Sequence, residues 1–191
     1  MYLMKDITRE GNPVLNVACE PVKLPISSED LNVLKGLLEY VINSSLDDVA
    51  KKYGIRPGVG IAAPQVGVTK RMFALNFEDF LNNNKRYCMA VINPIITWRS
   101  NEMTYLPGGE GCLSVDRDTT GLITPRNYKI SYKCYVYDFR TNTCKQKAGT
   151  LEGYPAIVFQ HEYDHLDGIL FTSKMYKSLD CEPLYTVGDE E

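Results

Sequence analysis

The chain has 191 residues, 44% hydrophobic and 24% charged, with a net charge of −3. That length can bury a sizeable core as one domain over residues 1–191, without disulfide staples. Its lysines and arginines are scattered and give no nucleic-acid signature, and no apolar run approaches the length that crosses a bilayer.

In chain order, residues 1–26 read as irregular, broken by Gly11, Pro13, Pro21 and Pro25. The start, Met1 to Pro13, has no apolar signal core. A helix is predicted from Ser27 or Ser28, with Glu29 and Asp30 in the first turn, where the helix dipole favours acids. Leu31, Leu34, Leu38, Val41 and Ile42 follow at helical spacing, and a more polar second half runs through Tyr53 to a stop at Gly54. Gly58–Gly67, GVGIAAPQVG, is neither a clean helix nor a clean strand.

Strands are predicted over Arg71–Phe77 and Tyr87–Trp98, the second interrupted at Asn93-Pro94, with a surface excursion at 78–86 between them. Glu110–Val115 follows a Pro-Gly-Gly turn, and 116–127 reads as loop. Tyr128–Asp138 and Thr143–Leu151 form a hairpin through Arg140-Thr141-Asn142. A late helix spans Tyr154–Leu166, with Pro155 in its first turn and Asp167-Gly168 as its stop. Ile169–Phe171 is a short strand candidate, and the acidic end Gly188–Glu191 is expected to fray. The pattern suggests an α+β fold: mixed or antiparallel sheets around the late helix, plus one long N-terminal helix.

The six cysteines show no CxxC pair, which fits free thiols in a reducing cytoplasm. The chain's only two histidines, His161 and His165, stand four apart with Glu162 after the first. On a helix they share one face, one turn apart, and can close on one metal ion. Glu162 then exchanges a proton with water on that metal. This HExxH arrangement needs a third ligand. A third histidine does not exist, and Glu182 stands in a loop-like context. An upstream thiolate remains, best represented by Cys112 among the glycines of GGEGCLS. Such a one-sulfur, two-nitrogen set leaves a fourth position open for water, as in catalytic zinc-type sites. Two other readings stay open at this point: a general metallopeptidase using Glu182, and a non-catalytic module braced by its metal.

GVGIAAPQ at 58–65, EGCLS at 110–114 and QHEYDHLDG at 160–168 together resemble the three signature motifs of the peptide deformylases. The long intervals between them, and the lack of a long C-terminal helix, resemble the longer, Gram-positive-type subclass. Ile61 stands where leucine is usual in the family. The resemblance implies a hydrolase that removes the formyl group from the formyl-methionine of new polypeptides and releases formate. It also implies one divalent metal, Fe(II) expected, with nickel, zinc or cobalt able to occupy the same ligands. The Gln65 side chain and the Leu113 N–H would hold the oxyanion. Val59, Gly60 and Gly111 would offer backbone groups to an extended peptide. Ile157 and Val158 would wall the methionine pocket, and Glu110 and Arg126 would pair beside the site. The implied partners are N-formyl-methionyl peptides and, where chains emerge, the ribosome near its exit tunnel.

Overall fold

The computed structural model of the chain describes residues 1–186, so the acidic end Gly188–Glu191 lies outside the described residues. Three α-helices and an antiparallel sheet carry the architecture. The helices are α1 (Ser28–Ser44), α2 (Asp47–Tyr53) and α3 (Tyr154–Leu166). The strands are β1 (Gly60–Ala62), β2 (Met72–Asp79), β3 (Lys85–Arg99), β4 (Met103–Thr104), β5 (Arg126–Asn127), β6 (Lys129–Asp138) and β7 (Thr143–Glu152). The main sheet has the order β1-β2-β3-β6-β7, and β4 and β5 form a separate two-stranded ribbon. Every pairing between these strands is antiparallel, so the mixed alternative falls away.

The sheet lies between α1 and α3, and β2 shows how. Met72 and Ala74 pack with Leu34, Leu37, Tyr40 and Val41 of α1. Phe73, Leu75 and Phe77 point the other way, toward Val158, Phe159 and Leu166 of α3. Period-2 alternation with both faces covered makes β2 continuously apolar over its first half. Phe159 anchors α3, meeting Phe73 edge-on at a centroid distance of 5.2 Å and Tyr132 at 4.9 Å. β7, at the far edge, is exposed along most of its length.

Several predicted elements change in extent, each for a local reason. The early helix is two helices. Ser45 closes α1, its hydroxyl donating to the Ile42 carbonyl at 2.7 Å and accepting from the Asn76 side chain at 3.2 Å. These side-chain bonds compete with continuation of the helix. The buried stripe of α1 runs Leu34, Leu37, Val41, Ser44, while Leu31, Leu38 and Ile42 flank it half-buried. The excursion at 78–86 shortens to a tight turn through Asn83 and Asn84, both with positive φ, as asparagine tolerates. β3 runs unbroken through Asn93-Pro94. Asn93 takes a φ of 48° at a register shift, and its side chain pairs with the Val22 N–H and carbonyl at 2.8 and 2.9 Å. Ile169–Phe171 is not a strand: the chain turns into a 3-10 helix over Phe171–Lys174.

Candidate active site

α3 delivers both histidines. With Phe159 fixed on the sheet, His161, Glu162 and His165 turn toward the loop after the Pro-Gly-Gly turn, and the two imidazole centroids stand 5.0 Å apart. Cys112 comes from that loop, buried. Its Sγ lies 3.4 Å from His165 Nε2, and the ligand atoms of Cys112, His161 and His165 all fall within 4.8 Å of one another. Among the described residues this is the one such cluster of three. Glu182 takes no part: its backbone carbonyl accepts from the Thr104 hydroxyl at 3.1 Å, and Pro183 bridges to Tyr105.

The donor set suits a divalent metal. His161 Nδ1 meets Glu110 Oε2 at 2.6 Å, which leaves the ring's other nitrogen for the cluster. A carboxylate behind a ligating histidine is the usual second layer of a metal site. Burial works against charge on both rings. On His161 the Cys112 thiol and the Glu110 carboxylate outweigh it and raise the pKa. On His165, burial and the neighbouring cations hold it down. The buried His165 Nδ1 has no partner.

Behind His161 runs a chain of charges. Arg126 grips Glu110 through two bonds of 2.7 and 2.8 Å, and its other arm bonds Asp164, which Lys174 holds at 2.9 Å. Arg126 and Glu110 are 3% and 4% exposed, so their pairing is a necessity rather than a surface ornament. Burial alone would raise the Glu110 carboxyl. The Arg126 charge and hydrogen bonds, with His161, overcome it and hold the group at about 2. Arg126 is itself placed by Gln160, whose amide pairs with the Asn127 N–H and carbonyl at 3.1 and 2.8 Å and docks β5 on α3.

Glu162 sits opposite, one carboxylate oxygen buried without a partner, and burial pushes its pKa up to about 7. Gln65 arrives on a 3-10 turn, Ala63–Val66, that follows β1. Its side-chain carbonyl accepts from the Ala62 N–H at 2.8 Å, which orients its amide donors toward Cys112 Sγ at 3.3 Å and Ser114 Oγ at 3.2 Å.

A cleft of about 500 Å³ opens over this group. Val59, Gly60, Gln65, Glu110, Gly111, Cys112, Leu113, Ile157, Val158, His161 and Glu162 all line it. His165 and Arg126 stand behind its wall. Sequence reasoning missed Asp164, although its place one turn after His161 puts it toward the same side of α3. It also missed Ser114, and the outer end of the cleft, where Ser44, Ser45 and Asn76 gather with Phe77 and Tyr154. No local pattern marks those residues, because three separate elements bring them together.

Comparison with known proteins gives a consistent result. The family model described as polypeptide deformylase matches residues 4–180. Peptide deformylase of Halalkalibacterium halodurans is 48% identical over 175 residues, covering 92% of both chains. Peptide deformylase 2 of Bacillus cereus is 46% identical over 177 residues, covering 93% of this chain and 92% of that one. Among solved structures, a probable peptide deformylase from Synechococcus phage S-SSM7 superposes with a TM-score of 0.66 at 30% identity, over 88% of this chain and 97% of that one. The Met-Ala-Ser-bound class I type b peptide deformylase of Acinetobacter baumannii gives 0.66 at 25%, over 88% and 96%. The Bacillus-type relatives fit the Gram-positive-type subclass. Matched along nearly its whole length by the family model, and sharing close to half its residues with such relatives, the chain belongs to the polypeptide deformylase family.

Proposed function

We propose that this chain, acting as one catalytic domain in the cytoplasm, removes the formyl group from N-formyl-methionyl peptides as they emerge from the ribosome. It is a metal-dependent hydrolase of the peptide deformylase class. Cys112, His161 and His165 would hold one divalent cation, Fe(II) by preference, with nickel, zinc or cobalt able to replace it. When bound, such an ion supplies a Lewis acid and a water activated near neutral pH.

The remaining chemistry falls to side chains and backbone. The peptide lies extended along Val59, Gly60 and Gly111, with its methionine side chain against Ile157 and Val158. Glu162 takes a proton from the attacking water as oxygen bonds to the formyl carbon. The carbonyl oxygen, now negative, accepts from the Gln65 amide and the Leu113 N–H. Glu162 then passes its proton to the leaving nitrogen, the C–N bond breaks, and formate and a free amino terminus result. Glu110 and Arg126 hold the His161 ring from behind.

The observation that carries this reading is the convergence of the three ligand atoms beside a buried carboxylate oxygen that has no other partner. Formate release from a formyl-Met peptide tests it, with anaerobically prepared iron enzyme set against zinc, nickel and cobalt forms. Release without cleavage of internal peptide bonds is expected, fastest with iron. Internal cleavage, or no formate from any metal form, would overturn the reading.

A further inference from the structure

The loop that supplies Cys112 and Leu113 is gripped by two arginines, Arg9 from outside the cleft and Arg56 from its rim. Arg9 Nη1 donates to the Leu113 carbonyl at 2.7 Å and to Asp116 at 3.0 Å. Arg56 Nη1 reaches the same Asp116 oxygen at 2.8 Å, and its Nη2 donates to the Cys112 carbonyl at 3.4 Å. The segment around Arg9 adds two backbone bonds. Glu10 N–H donates to the Ser114 carbonyl at 2.8 Å, and Thr8 N–H to the Gln65 carbonyl at 2.7 Å. Three consecutive carbonyls, of Cys112, Leu113 and Ser114, are thus held by groups that come from residues 9, 10 and 56. The same strap also pins the turn that carries Gln65.

We propose that Arg9 and Arg56, joined through Asp116, are positioning residues that fix the Leu113 peptide and the Gln65 turn relative to each other. The proposal rests on the assignment of the Leu113 N–H and the Gln65 amide as oxyanion donors. The peptide that presents the Leu113 N–H has the Cys112 carbonyl as its other end. Arg56 on that oxygen fixes the plane of the peptide and polarises its N–H. Arg9 fixes the next peptide along. Arg9 does not line the cleft, so an effect of Arg9 on turnover must travel through the loop. Arg9 and Asp116 are 40% and 60% exposed, which marks them as replaceable without emptying the core.

Metal-loaded Arg9→Met, Arg9→Lys, Arg56→Met and Asp116→Asn enzymes would be compared with the parent for kcat, KM and metal content on a formyl-Met peptide. Arg9→Met is expected to lose roughly tenfold or more in kcat, with KM and metal content unchanged and Arg9→Lys recovering part of the loss. The Arg9→Met/Arg56→Met double variant should lose less than the product of the two single losses, because both arms act on one loop. An unchanged kcat in Arg9→Met and Asp116→Asn would overturn the proposal. So would a rise in KM alone, which would make Arg56 a substrate contact, or a kcat that falls only in step with metal content. Formate release by the parent enzyme reports separately on the deformylase reading. Amide exchange at Val115, whose N–H bonds the Cys112 carbonyl at 3.1 Å, needs no activity at all. It should quicken by about tenfold or more in Arg9→Met and Arg56→Met, and unchanged protection in both would sink the clamp.

Discussion

Gly60 stands where it does because Glu162 fills the space a side chain would need. A Cβ on Gly60 would collide with Glu162 Oε1 and lie 2.7 Å from its Cδ. Gly60→Ala would therefore push the carboxylate away rather than strain the backbone. A displacement approaching 1 Å costs about 10²-fold in rate for a positioned group. Steady-state kinetics on Gly60→Ala should show a loss of that order in kcat/KM, with thermal stability little altered. Parent-like turnover would mean that Glu162 need not sit where it is seen.

Replacing the carboxylate and replacing the thiol should separate cleanly. Glu162→Ala is expected to keep its fold and its metal, yet lose roughly 10²–10⁴-fold in turnover, the range typical of a general base. Cys112→Ala should lose metal first, and activity with it. Elemental analysis beside the formate assay distinguishes the two outcomes. Retained activity in metal-replete Glu162→Ala, or full metal in Cys112→Ala, would contradict the assigned roles.

Arg126 is expected to be the costliest single loss behind the site. Arg126→Met leaves Glu110 buried without its guanidinium partner and frees the back of the His161 ring. Breaking a buried pair in this way typically costs about 3–5 kcal/mol. Removing support from a metal ligand typically weakens metal binding roughly 10–100-fold. Urea unfolding of the metal-free protein measures the first effect, and chelator competition measures the second.

Glu10 links three separate parts of the chain, and its titration should be visible in acid stability. Hydrogen bonds from Arg117 and Thr172 hold its carboxyl below the ordinary value of 4.5. The unfolded chain therefore takes up this proton first as pH falls. The contribution of Glu10 is complete above the unfolded value and is lost as pH drops through the lower folded one. Glu10→Gln should be less stable than the parent at neutral pH, with the gap closing under acid. Urea midpoints measured from neutrality down to strong acid would show it, and a gap independent of pH would exclude the linkage.

The residues proposed as metal ligands and general base were legible because their chemistry depends on local spacing. His161, Glu162 and His165 need only a helical turn to come together. Cys112 needed elimination of the alternatives, and the family resemblance then ranked Gln65 and Leu113, which no pattern marks. What stayed hidden was long-range. Ser45 ends α1 because Asn76 waits thirty-one positions later, and Asn93 lets β3 continue because its side chain pairs with the Val22 N–H and carbonyl. Asp164 escaped notice because its partner, Arg126, arrives from a two-residue ribbon with no periodicity of its own. Ile169–Phe171 looked like a strand, but among the described residues it pairs with none and the chain winds into a 3-10 helix from Phe171.

The two rims of the main sheet are not alike. At one, β7 presents Lys145 and Lys147 to water along an unmated ladder. At the other, β1 is three uncharged residues, of which Gly60 lines the cleft. A protein that spends its working life among half-made, extended polypeptides constantly meets backbones seeking a mate. Ammonium groups make the long rim inhospitable to them, and the short stub beside Glu162 is the rim left without that guard.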